Sequence, residues 1–362
     1  MIFPLSERKV SDMDKKLNVL VLFGGCSSEY WVSLESSSGV LGSLDKNRFN
    51  PVMVGITEDG KWYHYTGTVQ EIADDKWRQS GKCTPAAMCP NSGEGTLLVL
   101  GEKGVEKSHI DAAFPVLHGR NGEDGTMQGL FELAGVPLVG CGTLASALCM
   151  DKDRAHILAA AAGVNVPASF KLEKGCPMDK AQKSADALGY PMFVKPIKAG
   201  SSFGVTRVAQ AKDFAAAVEE AFKYDGEVIA EEAIPGFEVG CAVMGDSELV
   251  TGEIDEIELA SGFFDFKEKY NLITSKIHVP ARIPKEASDR LKETAKVIYK
   301  ALGCAGFARV DMFYTPEGKI VFNEVNTIPG FTPFSRFPSM MKAVGVPFEE
   351  VLTRSIELAV SR

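Results

Sequence analysis

FARVDMFYTPEGKIVFNEVN, residues 307–326, reads as two apolar strands joined at Pro316-Glu317-Gly318. The first strand carries Arg309 and Asp311, the second Glu324 and Asn326. Side chains alternate faces along a strand, so each pair shares a face, and the short turn sets the pairs opposite one another. Two carboxylates and an amide oxygen then converge beside a guanidinium. Hard oxygen ligands of this kind suit Mg²⁺ held against nucleotide phosphates, where the metal offsets developing charge. The competing reading is a solvated charged face. The residues around Asp311 and Glu324 are apolar, however, and a buried carboxylate needs a partner or a metal.

Further upstream, FVKP (193–196) places Lys195 at the end of a candidate strand, followed by AGSSFG (199–204). A lysine there can pair with a phosphate as a point charge, and a Gly/Ser loop can drape backbone N–H groups over phosphates. The same loop also reads as a simple turn, and it is not a Walker A loop.

The pattern around these segments is α/β, with α+β character in the C-terminal part. NVLVLF (18–23) reads as a buried strand ending at Gly24-Gly25, with further strands at 51–57 and 111–117 and helices at 33–44 and 125–134. An N-terminal open parallel sheet follows from this alternation. Residues 67–106 are weakly patterned and read as a variable loop or small hairpin. A long helix is expected over 144–162, strands at 168–172, 192–196 and 205–209, and a helix at 212–223. Strands follow at 228–232, 239–245 and 249–256, then an irregular segment at 261–279 and helices at 285–302 and 347–360. Residues 1–16 read as a polar leader before the first strand.

The 362 residues suggest two or three domains of about 100–200 residues each. The net charge of −9 argues against a general nucleic-acid binder. No apolar run suits a membrane span or signal peptide. The 8 cysteines form no CxxC pair, and free thiols fit a reducing cytoplasm. GCGTLA (140–145) matches a dinucleotide fingerprint, but no acid follows about 20 residues on, so a tight strand-to-helix turn is preferred. The histidines at 64, 109, 118, 156 and 278 lack HExxH spacing. His118 sits where a strand enters LHGRNGEDG (117–125), a position at which open α/β sheets bind ligands, though a loop histidine in a turn fits as well.

Together with FGGCSSEYWVS (23–33), EEAIPGFEVG (231–240), KYNLITSK (269–276) and the extension of the last strand to FNEVNTIPGFTPFSRFP (322–338), these motifs resemble the D-alanine–D-alanine ligase family of the ATP-grasp superfamily over about residue 17 to the end. The resemblance implies an N-terminal substrate-binding unit (17–140), a central unit (141–237) and a C-terminal catalytic unit (238–362) with a lid at 261–279. It implies that Lys152 and Lys195 meet ATP phosphates under the loop around Ser202. Glu231, Glu232, Ala233 and Ile234 become the adenine linker and Glu238 the ribose ligand. Asp311, Glu324 and Asn326 would hold two Mg²⁺ ions, or Mn²⁺. Glu29 would bind the ammonium of D-alanine and join Ser201 and Tyr270 in a hydrogen-bonded trio, with His118 nearby. Arg309 and the Gly330 N–H would stabilise an oxyanion, and Lys269 would reach the γ-phosphate. A cytoplasmic homodimer acting on D-alanine, a second D-amino acid and ATP is expected.

Within that family the second substrate varies. Tyr270 after Lys269 follows the peptide-forming pattern, while His278 weakly opposes it. Arg336 replaces an apolar residue beside the second pocket, and with Asp255, Phe264 and Ser335 it makes the chain look most like type G D-alanine–D-serine ligases of vancomycin resistance. A housekeeping ligase with Arg336 in a surface salt bridge is the plainer reading. Trp31 departs from the usual acidic residue. Another ATP-grasp ligase would share the hairpin and Lys195 but not Glu29, Ser201 and Tyr270. A non-catalytic nucleotide-binding regulator would not require Arg309, Asp311, Glu324 and Asn326.

Overall fold

The computed structural model describes residues 16–258 and 276–362. The expected leader at 1–16, apart from its last residue, and Phe264, Lys269 and Tyr270 lie outside the described residues.

Three sheets organise the chain. The first has seven strands in the order β6-β5-β4-β3-β2-β1-β7. They are β1 (Leu17–Gly24), β2 (Phe49–Ile56), β3 (Trp62–Tyr65), β4 (Cys83–Met88), β5 (Thr96–Gly101), β6 (Gly104–His109) and β7 (Ala112–Pro115). β1 runs parallel to β2 and β7, and residues 19–23 are fully buried, as a strand covered on both faces requires. Helices α1 (Tyr30–Ser43) and α3 (Thr126–Ala134) also match the sequence pattern within a few residues.

Residues 67–106 correct the sequence reading. They hold α2 (Val69–Ala73), a 3₁₀ turn at Trp77–Ser80 and the strands β4 to β6, which continue the sheet as an antiparallel meander. β6 is exposed at most of its positions, so it lacks the alternation that marks a half-buried strand.

The expected long helix at 144–162 is two helices, α4 (Thr143–Met150) and α5 (Lys152–Ala161). Asp151 adopts extended backbone between them, and its carboxylate accepts the Arg154 N–H at 3.0 Å, capping α5. The break turns Lys152 inward.

The second sheet is antiparallel, in the order β10-β9-β11-β8, from β8 (Ser169–Glu173), β9 (Met192–Pro196), β10 (Thr206–Val208) and β11 (Glu227–Glu232). Helices α6 (Met178–Leu188) and α7 (Phe214–Ala221) cover one face. The helix expected at 212–223 begins instead with a 3₁₀ turn at Ala211–Asp213.

The third sheet runs β15-β14-β12-β16-β17, with β13 paired to β12. Its strands are β12 (Phe237–Gly245), β13 (Leu249–Thr251), β14 (Asp255–Glu258), β15 (Lys276–His278), β16 (Phe307–Tyr314) and β17 (Ile320–Asn326). The single strand expected at 249–256 is thus two short ones, and β15 lies at the end of the segment read as irregular. Helix α8 (Lys285–Ala301) covers this sheet. α9 (Arg336–Ala343), which the sequence reading did not mark, and α10 (Phe348–Ser361) instead fill the core shared by the first sheet and the other face of β12.

Aromatic rings join the first and third sheets. Phe114 of β7 meets Phe331 edge-on at 5.6 Å and Phe307 at 6.1 Å, and Phe331 stacks on Phe337 at 5.6 Å. This contact sets residues 328–331 against the ends of β1 and β7. Farther out, Trp77 is fully buried, meets Phe23 edge-on at 5.1 Å and donates its indole N–H to Tyr30 Oη at 3.0 Å. Trp77→Ala should cost about 3–5 kcal/mol in denaturant unfolding. A loss under about 1 kcal/mol would show that the meander contributes little to the first core.

Candidate active site

The hairpin of β16 and β17 has the register its sequence predicts. Arg309 pairs with Asn326 and Asp311 with Glu324, and a bulge follows that leaves Asn323 outside the ladder. Asp311 is 1% exposed. Arg309 Nε reaches Asp311 Oδ1 at 2.8 Å, and a terminal nitrogen of Arg309 reaches Oδ2 at 2.7 Å. The Asn326 amide donates to Oδ2 at 2.9 Å, and Arg336 lies 3.3 Å from Oδ1.

Arg336, the first residue of α9, has a side chain only 10% exposed and is not a surface ion pair. It binds Asp255 through Nε at 2.7 Å and a terminal nitrogen at 2.8 Å, and it meets Glu238 at 3.2 Å. The Gly240 N–H also donates to Asp255, at 2.7 Å. Burial alone would lower the Arg336 pKa, but Asp255 and Asp311 outweigh it and hold the guanidinium well above its usual value. At the foot of α9, Ser335 Oγ accepts the Thr332 N–H at 3.1 Å, and a Cβ at Gly330 would lie 3.1 Å from that oxygen.

Asp311, Glu324 and Asn326 fit a hard cation. Turning over the Asn326 amide puts its oxygen beside Asp311 Oδ2, with Glu324 across the ladder. Among the described residues no cluster of three or more His, Cys, Asp or Glu forms a metal cage. Mg²⁺ requires none, because it keeps waters and takes phosphate oxygens.

Two lysines flank this region, Lys152 at the start of α5 and Lys195 on β9 of the second sheet. Lys152 Nζ lies 3.6 Å from Glu324 and donates to the Ala199 carbonyl at 2.9 Å. Lys195 is buried on β9, with Nζ 2.6 Å from Glu231 of β11. Lys195 opposes Ile229 in register, so Glu231 is its diagonal neighbour on the same face. Past Glu231 the chain crosses to the third sheet. The Glu232 carboxylate accepts the Ala168 N–H at 2.9 Å and the Ala233 N–H donates to Pro191 at 3.2 Å, so side chain and backbone fix the approach to Ile234.

Glu29 precedes α1 and is 7% exposed. Ser201, at φ 50°, donates its hydroxyl to this carboxylate, and Ser202 follows at φ 59°. A Cβ on Gly119 would lie 2.7 Å from Glu29, and one on Gly200 2.9 Å away, so backbone from two loops encloses the carboxylate. His118 is buried, its Nε2 3.3 Å from Ser36 Oγ, and that oxygen also accepts the Phe331 N–H at 3.3 Å. Burial lowers the His118 pKa.

Ser36, Glu123 and His156 escaped the sequence reading. Ser36 lies in a serine run that looks like ordinary helix surface. Glu123 lies in the quoted LHGRNGEDG segment, and only the fold reveals its partners. One oxygen accepts the Gly119 N–H at 2.9 Å and the other the Ile328 N–H at 3.1 Å, tying the His118 loop to the loop before Gly330.

Burial, with Glu29 adding to it, raises the Glu123 pKa from 4.5 to about 8. A carboxyl whose pKa is higher in the folded state contributes stability that is complete below about 4.5 and lost as pH rises through about 8. The stability of the wild type relative to Glu123→Ala should therefore fall across that window by at least about 1 kcal/mol, read by denaturant unfolding at several pH values. A flat difference would mean that Glu123 stays ionised.

Comparison with known proteins agrees with this geometry. Residues 18–141 match the family model for the D-Ala–D-Ala ligase N-terminus and residues 158–357 that for its C-terminus. The crystal structure of VanG D-Ala:D-Ser ligase from Enterococcus faecalis is 53% identical, with a TM-score of 0.89, covering 95% of this chain and 100% of that one. Vancomycin B-type resistance protein VanB of Enterococcus faecalis is 45% identical, covering 96% of this chain and 99% of that protein. A D-alanine–D-alanine ligase of Caldicellulosiruptor bescii is 40% identical, covering 96% of each chain. With both halves matched and the three sheets superimposable on a solved relative, this chain belongs to the D-alanine–D-alanine ligase family, ATP-dependent ligases with the ATP-grasp fold.

Proposed function

We propose that the chain is a cytoplasmic, homodimeric D-alanine–D-serine ligase that activates D-alanine as an acyl phosphate and supplies the dipeptide for cell-wall precursors. The observation that carries this reading is Arg336, buried against Asp255, Glu238 and Asp311 at the base of the segment expected to line the second substrate pocket. The 53% identity to VanG D-Ala:D-Ser ligase supports it.

A carboxylate is a poor electrophile, so it is first phosphorylated. Glu29, held by Ser201 and enclosed by Gly119 and Gly200, binds the ammonium of D-alanine and leaves the substrate's carboxylate free to attack the γ-phosphorus, with ADP departing as the β–γ bond breaks. Lys195 and Lys152 offset phosphate charge, which requires Lys195 to turn from Glu231. Asp311, Glu324 and Asn326 hold the magnesium, which supplies charge neutralisation at the phosphates. The amine of the second substrate then attacks the acyl carbon, phosphate leaves, and an oxyanion forms in between. Two nitrogens of Arg309 are committed to Asp311, so its remaining terminal nitrogen, with the Gly330 N–H, faces that oxyanion. Lys269 and Tyr270 complete the site from the segment expected to close over it.

The Asp255–Arg336 pair gives selectivity. Asp255 and Arg336 are bonded to each other, and a hydroxyl on the second substrate can join that polar pair as donor and acceptor, whereas a methyl cannot. A housekeeping D-alanine–D-alanine ligase is the alternative, supported by the 40% identity to the Caldicellulosiruptor bescii enzyme.

Chromatography of the products formed from D-alanine, D-serine and D-lactate with ATP tests the choice. D-Ala–D-Ser should dominate; D-Ala–D-Ala as the main product would favour the housekeeping reading, and a D-lactate ester would remove the amine-acceptor reading. Arg336→Met combined with Asp255→Asn, which removes one charge of each sign, should lower the D-serine to D-alanine product ratio about tenfold, the worth of one hydrogen bond. Arg309→Ala should reduce turnover by about 10²–10³ while nucleotide binding persists. Loss of both together would point to a structural role for Arg309.

A further inference from the structure

His156 lies on α5 at the seam between the second and third sheets and has no part in the mechanism above. Its Nε2 is 2.8 Å from the carbonyl of Asn323, the residue that the β17 bulge releases from the ladder. A carbonyl only accepts, so Nε2 carries the hydrogen and Nδ1 presents a lone pair. That lone pair faces Glu231 Oε1 at 3.5 Å.

Both atoms are buried acceptors without a hydrogen-bond donor among the described residues. Buried polar atoms are rarely left so, and two facing acceptors repel unless a donor lies between them. A proton on Nδ1 would satisfy both. Burial disfavours the imidazolium, and although Glu231 favours it, the positive charges of Lys195 and Lys152 oppose it. The other glutamate oxygen is held by Lys195 at 2.6 Å, so withdrawing Lys195 to a phosphate frees the carboxylate on the side where the base is proposed to enter.

We propose that His156 and Glu231 form a paired acceptor for the exocyclic amino group of the nucleobase, making His156 a determinant of 6-amino over 6-oxo purines. An amino nitrogen carries two hydrogens, and a nitrogen at ordinary hydrogen-bond distance from both acceptors donates one to each, with the bonds bent but serviceable. A 6-oxo purine instead presents an oxygen to two acceptors, leaving all three without a donor. The inference rests on the assignment of Glu231 to the adenine site, and it adds the second acceptor and the tautomer set by Asn323.

The test is calorimetric binding of ADP and of IDP to the full chain with magnesium, so that each protein gives an internal ratio. The wild type should prefer ADP. His156→Gln keeps a donor for Asn323 but places no acceptor at the Nδ1 position, and should lower the ADP to IDP preference about tenfold. His156→Asn, whose amide oxygen can stand near the Nδ1 position, should restore most of it. Glu231→Gln should also lower the ratio. A ratio unchanged in His156→Gln but lowered in Glu231→Gln would overturn the role of His156 and leave the adenine site standing. A ratio unchanged in both would overturn the adenine assignment itself.

Discussion

The ion pairing of Asp311 is the constraint around which the site is built. This carboxylate is withdrawn from water and held by two guanidiniums and an amide. Desolvating such groups costs more than a single contact returns, so each partner added to the cluster offsets part of that cost. Gly240 shows how tight it is: a Cβ there would lie 2.5 Å from Arg336, 2.7 Å from Asp255 and 2.9 Å from Asp311. Arg309 and Arg336 face three carboxylates, Asp311, Asp255 and Glu238, so the cluster keeps an excess of negative charge where a divalent cation is expected to sit.

Everything else aligns parts against that cluster. The Phe114, Phe307, Phe331 and Phe337 rings fix the 328–331 loop on the first sheet. Ser36 and Glu123 then fasten the same loop to His118 and Gly119 by hydrogen bonds to the His118 ring and to the N–H groups of Gly119, Ile328 and Phe331. The apolar contact supplies adhesion without direction, and the hydrogen bonds supply registration. The expected D-alanine site at Glu29 and the expected oxyanion site at Gly330, far apart in sequence, are thereby set close together. The break at Asp151 serves a similar end, because a continuous helix would not start at Lys152 and aim it at Glu324.

Much of this was legible beforehand, for identifiable reasons. Arg309, Asp311, Glu324 and Asn326 occupy alternating positions around a short turn, and strand geometry left one way to place them. The buried β1 and the Lys195 strand are short apolar runs bounded by glycine or proline. The meander over 67–106 was missed because an exposed edge strand such as β6 carries no burial pattern. The Asp151 break was missed because alanine-rich segments on both sides favour helix and conceal a single capping residue.

The sequence by itself determined the hairpin, the lysine strand, and the family those motifs mark. These features depend on neighbours a few residues apart. Only the tertiary structure decided that Arg336 is buried against Asp255 instead of lying on the surface, that Glu123 bridges two loops, and that His156 faces Glu231 across a seam. Each joins residues from different sheets or loops, and the energies involved depend on burial and on distances that no spacing along the chain encodes.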